Sequence, residues 1–134
     1  MDKSWDGAKW KMENKENVLK AKSFTFSLRV IKLYKYLNSE QKEYVLSKQV
    51  LRSGTSIGAN IVEANHAQSR PDFVHKLSIS LKEAHETQYW LELLRESGFV
   101  PAIKVDPLIS ECCELQRILT VSIKTTKSNS AGAK

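Results

Sequence analysis

Residues that turn a chain sharply are scarce here: three prolines and five glycines among 134 residues. That shortage argues against an all-β protein, which needs turn residues between many short strands. Only two cysteines occur, Cys112 and Cys113, side by side and without a Cys-x-x-Cys spacing. A structural disulfide or zinc site is disfavoured on those grounds, and a reducing cytoplasm is the expected location. No run approaches the ~18 uncharged apolar residues of a membrane span. No basic start followed by an apolar segment marks a secretory signal either. What is present, 41% apolar and 27% charged residues, is ordinary for one soluble domain with one core.

Charge is unevenly placed. The net charge is +6, but residues 1–52 hold twelve Lys/Arg against six Asp/Glu, residues 53–116 five against nine, and residues 117–134 four against none. Basic ends around an acidic middle suit attraction to a polyanion such as RNA or DNA. A pair of solubilising tails is the alternative.

Apolar periodicity predicts helices throughout. Residues 1–17, which include Trp5 and Trp10, show no period and are expected to form a flexible N-terminal arm. A first helix from about Val18 to Leu37 buries Phe26, Val30, Leu33 and Leu37, with Ile31 and Tyr34 widening the stripe. Ser39 is a good N-cap, with Glu40 in the first turn, for a second helix reaching about Ala67. Ser69-Arg-Pro-Asp72 opens a third helix by cap, proline and acidic partner, and Gly98 closes it. Asp106-Pro107 restarts a fourth helix after a loop over 99–106, and residues 127–134 are expected to be a disordered tail. Short connections make neighbours antiparallel, so residues 18–126 are expected to form an all-α, antiparallel up-down-up-down four-helix bundle.

Two features of the second helix ask for an explanation. Arg52, Ser56, Asn60 and Glu63 fall at i, i+4, i+8 and i+11, a stripe of short polar side chains bracketed by opposite charges. On the third helix, Glu83, Glu86 and Trp90 share a second stripe, and Arg52 is a natural cationic partner for these acids or for Glu63. Together they read as a contact seam between helices or subunits. Gly54 and Gly58 form a small-xxx-small pair that costs about 1 kcal/mol per glycine relative to alanine, which close helix packing would offset. Gly54-Thr-Ser-Ile-Gly58 also suggests a phosphate loop, but no Lys-Ser/Thr follows and no strand precedes it.

Catalytic and metal chemistries find only partial matches in the same residues. Glu63-Ala-Asn-His66 matches the Glu-x-x-His pair of di-iron bundles, yet the fourth helix offers Glu111-Cys-Cys-Glu114 instead of a second copy. Glu83 and Glu86 could pair as catalytic carboxylates, but Lys82 supplies an ordinary ion pair four residues before Glu86. His66, His75 and His85 stand in no triad spacing. No enzyme activity, metal or cofactor is expected.

The run Arg52-Ser-Gly-Thr-Ser-Ile-Gly-Ala-Asn-Ile-Val-Glu-Ala64, with Ser23-Phe-Thr-Phe before it and Tyr89-Trp-Leu-Glu-Leu-Leu94 after it, resembles the four helix bundle proteins. These are also called 23S ribosomal RNA intervening-sequence proteins. The resemblance implies an up-down bundle assembled as a ring-shaped homopentamer. It also implies similarity to the accessory variability determinant of diversity-generating retroelements, a basic pentamer that binds nucleic acid and a reverse transcriptase. No catalytic residues come with it.

The leading expectation is a non-catalytic, oligomeric nucleic-acid-binding protein that contacts RNA or DNA phosphates through Lys20, Lys22, Arg29, Lys32, Lys35, Lys124 and Lys127. The alternative is a homo-oligomeric scaffold that binds another protein without touching nucleic acid. Neither involves a membrane.

Overall fold

The computed structural model describes residues 3–132, with side chains over residues 18–129. Its elements are α1 (Lys3–Ser39), α2 (Leu46–Asn65), α3 (Arg70–Glu96) and α4 (Ala102–Gly132). Each packs on its neighbours in the chain, and α1 closes the square against α4 with the least extensive of the four contacts. The flexible arm expected over residues 1–17 and the disordered tail expected over residues 127–134 fall partly outside the described residues.

Direction follows from which residues meet. Between α3 and α2, the Ser80 hydroxyl donates to the Ile57 carbonyl at 2.8 Å and the Thr87 hydroxyl to Ser53 Oγ at 2.9 Å. Numbers rise on one helix as they fall on the other. The same holds for Lys22–Glu114 and Arg29–Glu111 between α1 and α4, and for Gln116 to Ala84 and Asp106 to Arg95 between α4 and α3. The bundle is antiparallel, up-down-up-down.

The expected stripes form its core. Phe26, Val30, Leu33 and Leu37 of α1 meet Val50, Ile57 and Ile61 of α2, Phe73, Leu77, Leu91 and Leu94 of α3, and Leu108, Cys112, Leu115 and Leu119 of α4. Full burial of each large aliphatic or aromatic side chain stabilises by about 1.5–3 kcal/mol. Burial pushes the Cys112 thiol up to about 12, and its Sγ sits 3.1 Å from the Ala84 carbonyl oxygen. That cysteine is a small apolar filler.

The glycine pair sets the α1–α2 spacing. A Cβ on Gly54 would lie 2.9 Å from both methyls of Val30, and one on Gly58 would lie 3.2 Å from Ser23 Oγ. The side chains of α1 occupy the space that larger residues on α2 would need.

Helix ends partly depart from the sequence reading. The Ser69 hydroxyl accepts from Asp72 N–H at 3.2 Å while the Asp72 carboxylate accepts from Gln68 N–H at 3.3 Å, the reciprocal cap expected. Gly98 at φ +83° ends α3 as expected. Ser39, however, is the last residue of α1 and not the cap of α2; its hydroxyl donates to the Lys35 carbonyl at 2.8 Å. The N-cap position of α2 is Val45, which has no capping side chain; Glu43, two residues before it, serves instead, its carboxylate accepting the N–H groups of Val45, Leu46 and Ser47 at 3.1, 2.9 and 2.7 Å. A side chain of that reach moves the helix start to Leu46. Nor does Asp106-Pro107 start α4: Pro107 lies inside the helix, which begins at Ala102, and costs it one backbone hydrogen bond. The helical backbones of α1 and α4 also begin and end beyond the apolar stripes, since elongating a formed helix needs no new nucleus.

Two outcomes follow. Gly54→Ala should lower stability by about 1–2 kcal/mol net, because overpacking against a stiff valine exceeds the gain in helix propensity. Gly58→Ala, whose neighbour is a single rotatable hydroxyl, should be near neutral; equal urea midpoints for the two variants would refute the distinction. For Glu43, burial pushes the carboxyl up, but the N–H donors of Leu46, Ser47 and Val45 outweigh it and hold the group below its ordinary 4.5. A depressed carboxyl contributes stability above the unfolded-state value and loses it as pH falls through the folded one. Glu43→Gln should therefore be less stable by about 1–3 kcal/mol at pH 7. The gap should close below pH 4.5, which melts across pH 3–7 would check.

Candidate functional site

Two helix pairs carry the candidate residues, and they differ in how their charge is used. On the α2–α3 face, Arg52 spans two acids, reaching Glu83 at 3.3 Å and pairing with Glu86, while Trp90 Nε1 donates to Glu86 at 3.0 Å. Ser56 and Asn60 turn inward on their own helix, donating to the carbonyls of Arg52 and Ser56 at 2.6 and 2.8 Å. Glu63 pairs not with Arg52 but with Lys76, at 3.0 Å, and its hydrogen bond and charge push that ammonium up. The seam is thus a set of cross-helix ties between α2 and α3, with Gly54 and Gly58 turned toward α1. Ion pairs this exposed contribute about 0–1 kcal/mol each.

The two catalytic readings find little geometry. Both carboxylates of Glu83 and Glu86 are occupied by Arg52. Among the described residues no three His, Cys, Asp or Glu side chains come together as metal ligands.

The expected cations divide into separate places. Lys22 is tied to Glu114 at 3.0 Å and Arg29 to Glu111, both across the α1–α4 edge. Arg29 and Lys32 then line a cleft of about 540 Å³ between α1 and α4. Lys20 and Lys35 are exposed on α1 but do not line it. Lys127 lines a different hollow with Arg70 and His75 beside the start of α3, and Lys124 is exposed on α4.

The cleft contains two residues that the sequence reading missed. Lys104 places its ammonium 4.6 Å from the centre of the Tyr36 ring, and both line the cleft. Tyr36 was discoverable, since Arg29, Lys32 and Tyr36 fall at i, i+3 and i+7 on one helix face. Lys104 was hidden because residues 99–106 read as a loop, whereas Lys104 stands in the first turn of α4. Three cations therefore converge where the bundle closes most loosely, and no Asp or Glu is among the described lining residues.

The profile of the family described as 23S rRNA-intervening sequence protein matches residues 15–121. A crystal structure of a protein of unknown function from the S23 ribosomal protein family of Bacteroides thetaiotaomicron superposes with a TM-score of 0.81. It is 53% identical, over 82% of this chain and 98% of that one. No curated protein matches. No described helix is long and apolar enough to cross a membrane.

Proposed function

The chain belongs to the 23S rRNA-intervening sequence protein family, and on that premise we propose that it is a non-catalytic, oligomeric protein that binds nucleic acid through phosphate contacts. The observation that carries this reading is that Arg29, Lys32 and Lys104 line one cleft with no acid among its described lining residues, Arg29 being tied from outside that lining to Glu111. Cations gathered in a concave, partly apolar setting concentrate field that a flat, mixed surface disperses. The excess of Lys and Arg over Asp and Glu, +6 overall, adds a long-range attraction of the same sign.

Self-association has its own support. Phe24 and Leu28, one turn apart on α1, are 65% and 53% exposed, and Val62 on α2 is 42% exposed. Gly58, one turn before Val62, packs against Ser23 and Ser27, which brings α2 against the stretch of α1 that carries Phe24 and Leu28. Exposed apolar groups gathered on one face mark interaction surfaces. A ring of five follows from the family resemblance alone. The same face would serve the alternative reading, a scaffold for another protein.

Two measurements test the proposal. Light scattering should give a mass several times the 15.2 kDa of one chain at micromolar concentration, and a lone monomer would refute self-association. Binding to RNA or DNA should weaken with salt at a log–log slope of about −0.7 to −0.9 per phosphate contact, with slight sequence preference. Replacing Arg29, Lys32 and Lys35 together by Gln should reduce affinity and slope while leaving the fold intact. Absence of binding to any nucleic acid at ~50 mM salt, where the electrostatic attraction is strong, would leave the scaffold reading in place.

A further inference from the structure

We propose that the α1–α4 cleft takes an unpaired nucleotide, with its base against Tyr36 and its phosphate on Lys104, Lys32 and Arg29. This rests on the nucleic-acid reading and goes beyond it, since phosphate contact alone does not distinguish a single strand from a duplex or from any polyanion.

The cleft is built of two unlike parts. Its floor is Leu33, Val100 and Leu108, all core side chains less than a tenth exposed. Above that floor stand the three cations and one aromatic ring. Cations alone would serve a backbone; an apolar floor and an aromatic wall serve a flat, weakly polar ring. At about 540 Å³ the cleft falls within the ~300–1,000 Å³ range of small-ligand sites. A duplex, whose bases are stacked inside, cannot present a base to it without flipping one out.

The aromatic is held in place by the core on which it packs and by a hydrogen bond at its far end. Gln41 Nε2 donates to the Tyr36 hydroxyl at 2.9 Å, which fixes the far end of the ring. The ring is partly buried, packed against the core, and the Lys104 ammonium lies 4.6 Å from its centre, on an exposed side chain that can move aside. On binding, the base replaces the ammonium over the ring and the ammonium swings to the phosphate a few ångströms away. Arg29 is held from the side by Glu111, so its guanidinium is positioned before the ligand arrives.

The test uses the full chain with a labelled 15-nucleotide single strand, the matching duplex, and inorganic polyphosphate as a polyanion without bases. Tyr36→Leu should lower single-strand affinity about 5- to 150-fold, the effect of losing one stacked base. It should leave duplex and polyphosphate binding unchanged. Tyr36→Phe, which keeps the ring, should retain single-strand binding and guards against a folding defect. Lys104→Gln should weaken all three probes and reduce the single-strand salt slope by about 0.7. Single-strand binding by the wild type that is indifferent to Tyr36→Leu would overturn the cleft assignment while leaving the nucleic-acid reading standing. If the wild type binds none of the strands, that reading fails. The cleft is then judged by titrating uridine monophosphate against the amide resonances of Val100 and Leu108: shifts there support it as a free-nucleotide site, and none overturn it.

Discussion

Everything in this bundle depends on how closely α2 lies against its two neighbours. It is the shortest of the four helices and its flanks are lined with small residues: Gly54 and Gly58 toward α1, Ser53 toward α3. On the α1 side, the Val30 methyls fill the space where a Gly54 side chain would stand. On the α3 side, the approach is close enough for the Ser80 hydroxyl to reach a backbone carbonyl of α2. A buried hydroxyl without a partner costs about 1–3 kcal/mol. Ser80 therefore fixes both the distance and the register of the pair, because a slip along the axis would take it from the Ile57 carbonyl, whereas Thr87 also has the Glu83 carbonyl of its own helix. Leucine contacts, which slide more easily, would not impose the same precision.

That tight side has a counterpart in a loose one. With α1–α2 and α2–α3 drawn close, the square closes at α1–α4, where contact is thinnest and two ion pairs, Lys22–Glu114 and Arg29–Glu111, bridge the edge. On the α2–α3 face two cations meet three acids across the helices, Arg52 engaged with Glu83 and Glu86 and Lys76 with Glu63. Beyond the two bridged acids, the α1–α4 cleft gathers cations without carboxylates in its lining. Ion pairs thus tie both faces, and Lys32 and Lys104 are the cleft-lining cations that have no ion pair among the described residues.

Apolar period and helix-end residues make most of the fold legible in the chain itself. The stripes of Phe26 to Leu37 and of Leu108 to Leu119 lie in the core, and Ser69 and Gly98 mark helix ends because their chemistry is local to the turn they make. The misplaced start of α2 has a different origin. Glu43 caps through a long side chain folding onto its own following residues, and no short-range signal separates that from a surface glutamate. The site was less legible for a related reason. Arg52 with Glu83 and Glu86 could be matched by charge and helical phase. Lys104 and Tyr36 meet only because α4 starts earlier than Pro107 suggests, and helix phase alone does not say which end of the bundle holds Lys32 and which holds Lys127.

On the proposed reading, the two receptive surfaces of the chain are linked by energetics. A single open cleft with three cations and one ring supplies modest affinity, much of it salt-sensitive. Several copies held together, each offering the same cleft to one strand, convert later contacts into intramolecular ones at high effective concentration. The exposed Phe24 and Leu28 of α1 and Val62 of α2 are the apolar groups available for such association, and Leu28, one turn before Lys32, borders the cleft. Avidity gained in this way needs no sequence readout, which agrees with a chain whose cations meet phosphates and whose one aromatic wall accepts any base.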